Sequence, residues 1–107
     1  MKQLRFEWDD KKNSINLKKY GVDFNEAETC FEDDYAAIFD DVEHSANEER
    51  SILLGMSSHL KTLIVVFTER ETNNKNEIVN RIISARKATK KEFQFYWSRR
   101  PTIGDIK

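Results

Sequence analysis

Three arginines lie on two apolar runs in the C-terminal half of this chain. Arg70 ends LKTLIVVFTER (60–70), and Arg81 and Arg86 lie within VNRIISAR (79–86). A guanidinium stays charged in a protein and is costly to bury unpaired. On strands this apolar, such arginines either have carboxylate partners or face an anionic ligand. Carboxylates are at hand, because Glu48 and Glu49 precede Arg50 and Glu69 precedes Arg70. A carboxylate beside a guanidinium can move a proton while the guanidinium holds a phosphate; the plainer reading is a cross-strand ion pair. Lys12, Asn16 and Lys19, spaced four and three apart, share one face of a predicted helix. That face is either solvated or a polar stripe that contacts phosphate.

Alternation restricts how the arginines combine. In the first run Leu63, Val65 and Phe67 point one way and Ile64 and Val66 the other, so this strand can be buried on both sides. In the second, Val79, Arg81, Ile83 and Ala85 share one face, and Asn80, Ile82, Ser84 and Arg86 the other. Arg81 and Arg86 therefore lie on opposite faces of a regular strand. They share a site only if a bulge or the strand's end re-aims one; otherwise Arg81 is the structural one.

Other chemistries find little support. His44 and His59 fall in predicted loops without metal-ligand spacing, so no metal or cofactor is expected. Cys30 is the single cysteine, which excludes an internal disulfide, and it sits near an apolar stripe where packing is the expected role. No nucleophile elbow, phosphate-binding Gly-rich loop or dinucleotide fingerprint is present, and three glycines are too few to build most of these. Phe93, Tyr96 and Trp97 at helical spacing read as core or interface.

The elements that position these residues follow from periodicity and capping. Leu4 to Trp8 reads as a strand. Asp9 caps a helix over 10–20 that stops at Gly21. Asp23 and Glu26 have capping-box spacing for a second helix with Phe24, Ala27 and Phe31 as its buried stripe. Strands follow over 35–41 and 50–56, then the two arginine-bearing strands, joined by a polar loop over 71–77. Thr89 and Glu92 form a capping box for a last helix over 90–99, with Ala88 and Phe93 as its staple. The short connections require antiparallel pairing. The expected fold is α+β, a small, mainly antiparallel sheet with helices on one face, in a single domain over 1–100 with a short tail over 101–107.

The chain has 107 residues, one domain's worth, and its 38% apolar content is offset by seven Phe, three Tyr and two Trp that can fill a core. No apolar run is long enough to span a membrane and the N-terminus lacks a signal-peptide core, so the cytoplasm is the expected location. Charge is segregated: 23–49 holds eleven acids and no Lys or Arg, whereas 81–100 holds seven Lys or Arg and one acid. This suits either two solvated surfaces or a basic side for a polyanion and an acidic side for another partner.

Four ordered blocks, FEWDDKKNSINLKKYGVDFNEAETCF, EHSANEERSILLGMSS, LIVVFTER and RIISARKATKKE, resemble the BrnT family of toxins from Phe6 to about Tyr96. The resemblance implies a twisted antiparallel sheet like that of RelE-type ribonuclease toxins. It implies a type II toxin–antitoxin module whose toxin cleaves RNA and arrests growth. A BrnA-type antitoxin would neutralise it, and operator DNA would be reached only through the antitoxin. Two positions depart from the family pattern, which usually has His where Tyr20 and Phe67 stand; the 71–77 loop is also longer. On this resemblance, Arg70, Arg81 and Arg86 are expected to stabilise phosphate charge. Glu49, with Glu69 behind it, is the expected base. Lys12, Lys19, Asn16, Arg50 and Ser84 are expected to hold RNA, with a lysine as a candidate acid. The competing reading is a non-catalytic protein-binding module or co-repressor subunit whose arginines form structural ion pairs.

Overall fold

The computed structural model describes residues 3–44 and 48–101. Five strands form one mixed sheet in the order β1-β5-β4-β3-β2. They are β1 (Gln3–Glu7), β2 (Ala37–Asp40), β3 (Arg50–Met56), β4 (Thr62–Glu71) and β5 (Glu77–Lys87). The helices are α1 (Asp10–Tyr20), α2 (Phe24–Thr29) and α3 (Lys90–Ser98). β2 to β5 pair antiparallel, as their short connections require, and β1 adds in parallel to the outer side of β5. Among the described residues no helix is long and apolar enough to cross a membrane. Of the expected tail, residues 102–107 lie outside the described residues.

β4 is apolar on both faces, so each face needs a cover. Leu63, Val65 and Phe67 pack with Leu53, Ile82 and Ala85 beneath α1 and α2, joined by Val22, Phe24, Ala27 and Cys30. Phe31 meets Phe67 and Phe6 edge-to-face, at centroid distances of 4.9 and 4.8 Å. On the reverse face Leu54 and Ile64 pack against Tyr96 of α3. The expectation of helices on one face thus holds for α1 and α2, while α3 lies on the other. Periodicity gave α3 an apolar stripe but could not say which side of a doubly apolar sheet it would cover. The rest of that reverse face, toward Thr68 and Arg50, is where the arginines stand.

The caps form largely as their residue types dictate. The Asp9 carboxylate accepts from the Lys11 and Lys12 amides, and Gly21 ends α1 in the left-handed region at φ 71°. Thr89 and Glu92 form a full capping box. Asp23 caps α2, but Glu26 does not complete a box; its buried carboxylate instead accepts from Ser57 Oγ at 2.7 Å, pinning the β3–β4 turn. Phe93 is exposed rather than stapled and meets Trp97. Tyr96 is fully buried, and its hydroxyl donates to Asp33, which also accepts from the Met56 amide. That hydroxyl anchors α3 and has no access to a ligand. Burial pushes the Cys30 thiol up to about 12, first through desolvation and then through Glu26 and Asp33, so it packs as an inert group.

Candidate functional site

The pairing of β4 with β5 is irregular at one point. Val66 faces Ser84 and Phe67 faces Ile82, so Ile83 has no opposite number. This is a β-bulge, and it reverses the side-chain parity of the strand. Before it, Arg81 lies opposite Thr68; after it, Ser84 lies opposite Val66 and Arg86 opposite Ile64. Thr68, Val66 and Ile64 share a face, so Arg81, Ser84 and Arg86 share it too. The conditional drawn from alternation is met by distortion, and both arginines are on one side. Arg50 pairs with Thr68 from β3 and joins the same face.

Two groups of arginines result. Across the sheet, Glu7, Arg81, Thr68 and Arg50 are in register on β1, β5, β4 and β3. The Glu7 carboxylate bridges Arg81 at 2.9 Å and Arg70 at 2.7 Å. Those bonds, Arg81's first, hold its carboxyl below the usual range. Further along β5, Arg86 forms a two-pronged pair with Glu92 of α3, at 2.8 and 3.0 Å, and its Nη1 also donates to Lys87 O. Its Nε–H and one Nη2 hydrogen remain for an anion. Glu92 is doubly used, since the same carboxylate accepts from the Thr89 amide at 2.7 Å. The capping box of α3 therefore fixes where Arg86 points.

Arg86 opens onto a concavity of ≈ 450 Å³ with a floor of Ile52, Ile64 and Val66. Its polar rim is Tyr20, Asp41, Glu43, Arg50, Ser84 and Arg86. Two guanidiniums above an apolar floor, that of Arg86 fixed by Glu92, suit a phosphodiester, which takes fork-like donors and presents a base or sugar to the floor.

α1 lies along the outer edge of β5 and brings its own residues to this site. β1 stops pairing at Arg81, which leaves the edge of β5 beyond it without a strand. The amide of Asn16 fills that gap: it donates to Ala85 O at 2.8 Å and accepts from Ala85 N at 3.1 Å. A third bond, to Val22 O at 2.9 Å, holds the chain after the helix. One turn later on the same helix face, Tyr20 reaches the concavity, with Lys19 Nζ 5.1 Å from its ring centroid. Lys12 lies toward the other arginine group, where Asp9 feels both Lys12 and Arg81.

Of the residues expected from the sequence, Arg50, Ser84 and Arg86 meet in the concavity, with exposed Lys19 beside it. Arg70 and Arg81 stand together on Glu7. Two expectations need correction. Asn16 is only 5% exposed, with its amide engaged by backbone, so it docks α1 and cannot hold RNA. Glu69 pairs with Asn80 on the opposite face from the arginines, so alternation removes it as their base. Glu49 lines an adjoining hollow with Asp40, Val42, Ser51 and Arg50, and Arg50 lines the Arg86 concavity as well, where the carboxylates are those of Asp41 and Glu43. The two departures from the family pattern also separate. Phe67 is 3% exposed and belongs to the core, whereas Tyr20 is in the site. Among the described residues no group of three or more His, Cys, Asp or Glu could hold a metal ion.

The Glu92–Arg86 pair gives a pH signature. The Arg86 bond, opposed by burial and helped by the Thr89 amide, lowers the Glu92 carboxyl to about 2 from an ordinary 4.5. A depressed carboxyl adds stability that is complete above pH 4.5 and is lost as pH falls toward 2. With the pair partly exposed, Glu92→Gln is expected to lower stability by about 1–2 kcal/mol at neutral pH. Denaturant melts across pH should show the gap between variant and wild type closing below pH 4.5; an unchanged gap near pH 2 contradicts the assignment.

The family described as "Ribonuclease toxin, BrnT, of type II toxin-antitoxin system" matches residues 8–92. No curated protein matches the chain. The crystal structure of the Brucella abortus ribonuclease toxin BrnT superposes with a TM-score of 0.59 at 24% identity, covering 82% of this chain and 100% of that one. That likeness supports the fold. The family match, over most of the length, shows that the chain belongs to the BrnT family of ribonuclease toxins of type II toxin–antitoxin systems.

Proposed function

We propose that the chain is an endoribonuclease whose site is the arginine-bearing face of β3 and β5, and that it cleaves RNA by internal attack of a 2′-hydroxyl. One observation carries this reading: the bulge at Ile83 gathers Arg81, Ser84 and Arg86 on the same face as Arg50. The attack adds negative charge to the phosphate oxygens, and fixed guanidiniums stabilise it without reorganising. Arg86 and Arg50 act at the reacting phosphate. Arg70 and Arg81, held on Glu7, hold an adjoining phosphate, and Lys12 and Lys19 extend the track along α1. Exposed Glu43, at the rim, takes the proton from the 2′-hydroxyl; Glu49 lies one hollow away, beside Arg50. In this reading guanidinium supplies the positive charge a metal ion would otherwise supply, and cleavage of cellular RNA inhibits translation in the cytoplasm.

The partner is a BrnA-type antitoxin, through which alone operator DNA is reached. An apolar groove between Phe39, Ile52, Leu54, Ile64 and Phe95 borders the concavity and shares Ile52 and Ile64 with it. Lys91 and Glu92 complete that groove, which suits an amphipathic antitoxin segment with its apolar side down, and a segment continuing from it would cover Arg86.

A second reading, a non-catalytic protein-binding module, is favoured by the carboxylate partners that Arg70, Arg81 and Arg86 already have. Expression of the chain alone and with the antitoxin separates the two. Growth arrest with RNA breakdown, relieved by the antitoxin, supports the nuclease; normal growth with intact RNA and folded protein supports the module.

A further inference from the structure

Resting on the nuclease reading, we propose that Tyr20 is the general acid of the reaction and protonates the departing 5′-oxygen. Internal cleavage forms a bond from the 2′-oxygen to phosphorus and breaks the bond from phosphorus to the 5′-oxygen. The 2′-hydroxyl loses its proton to a rim carboxylate, and the leaving 5′-oxygen must gain one. An acid for that step has to be a proton donor that is neutral or cationic at pH 7 and releases its proton far more readily than an alcohol.

Few of the described residues that line the concavity qualify. The carboxylates of Asp41 and Glu43 serve the opposite step, taking the proton from the 2′-hydroxyl. Arg50 and Arg86 do not release theirs in a protein. The Ser84 hydroxyl is an ordinary alcohol, no better an acid than the group it would protonate. Tyr20 remains, with a phenolic hydroxyl that is a far better proton donor to an alkoxide than an alcohol is.

The fold holds it there. Asn16, one turn earlier on α1, is locked to both backbone groups of Ala85, the residue between Ser84 and Arg86. Gly21 ends the helix immediately after Tyr20. Tyr20 is 39% exposed, open enough to meet a substrate, and lines the same concavity as Arg86. An exposed aromatic at a helix end needs no core role, and Tyr20 belongs to neither hydrophobic cluster. Its ring carries Lys19 Nζ at 5.1 Å and faces the concavity.

The test is Tyr20→Phe, which keeps the ring and removes only the hydroxyl. Two substrates are compared under single turnover: a short RNA, and a uridine 3′-phosphodiester with a 4-nitrophenyl leaving group, which departs without a proton. With RNA the variant is expected to be about 10²–10⁴-fold slower than wild type, the usual weight of general acid catalysis. With the nitrophenyl ester the two should agree within about threefold, because an acid step worth that factor is no longer used. Equal losses on both substrates would make Tyr20 a positioning or binding residue and overturn the proposal, as would an unimpaired variant on RNA. A wild-type chain that cleaves neither substrate overturns the nuclease reading and the proposal with it. Tyr20→His supplies a positive control: partial recovery on RNA, with a rate that falls as pH rises through about 6.5 as imidazolium loses its proton.

Discussion

Arg86→Ala will slow RNA cleavage by about a hundred- to a thousandfold under single turnover, the usual consequence of deleting one fixed donor aimed at developing charge. The guanidinium is rigid because Glu92 takes one hydrogen from each terminal nitrogen, and Glu92 is itself fixed by the Thr89 amide. Alanine removes the free Nε–H and Nη2–H donors and also leaves Glu92 without its cation. A stability loss of about 1–2 kcal/mol is therefore expected as well. Rates must be compared well below the variant's melting transition. Arg86→Lys distinguishes charge from geometry: an ammonium restores the charge but cannot grip Glu92 in two places and the phosphate as well. It should recover most of the stability and little of the rate. A rate for Arg86→Ala within about threefold of wild type would remove Arg86 from the reaction, since a donor of this kind is worth far more.

The largest loss of stability is expected from Asn16→Ala. Asn16 makes three hydrogen bonds, to Val22 O, Ala85 O and Ala85 N, and all are buried. Truncation leaves two carbonyls and one N–H without partners, each worth about 1–3 kcal/mol when left unmade. Partial relaxation and water entry make the sum smaller than the parts, and a loss of about 3–4 kcal/mol is expected. For a domain of this size that lowers the melting temperature by roughly 15 °C. Asn16→Asp should be no better, because a carboxylate would face two carbonyl oxygens where the amide donates. Calorimetry on the two variants checks this; a shift under about 1 kcal/mol would mean that the Asn16 bridge adds nothing beyond what water supplies. The same substitution frees the end of α1, so cleavage should fall further than unfolding alone explains.

Much of this architecture could be read from residue order. The strands over 50–56, 62–71 and 77–87 carry apolar runs and alternation that leave few other choices, and Asp9, Gly21, Thr89 and Glu92 mark helix ends by capping chemistry. The burial of Phe67 follows from its parity with Leu63 and Val65. Hidden were contacts between residues distant in the chain. Glu7 reaches Arg70 and Arg81 across 63 and 74 positions, and Glu26 reaches Ser57 across 31. Spacing put Asn16 on a face with Lys12 and Lys19 but could not reveal that this face meets an unpaired strand edge. The bulge was legible only as a condition: alternation separates Arg81 from Arg86 unless one residue is skipped, and Ile83 is that residue. The same limit hid that Glu69 lies on the opposite face from Arg70 and Arg81, and that Glu49 shares a hollow with Arg50 beside the Arg86 concavity. Asp41 and Glu43 arrive there from the connection between β2 and β3.

The central claim is that guanidinium on one sheet face does the work of RNA cleavage. It is tested most directly by incubating the purified chain with a defined RNA in the presence of EDTA and identifying the product ends. Cleavage that persists in the chelator and yields a 2′,3′-cyclic phosphate with a 5′-hydroxyl is the predicted result. Cleavage that stops in the chelator, or that yields 5′-phosphate ends, would contradict the account.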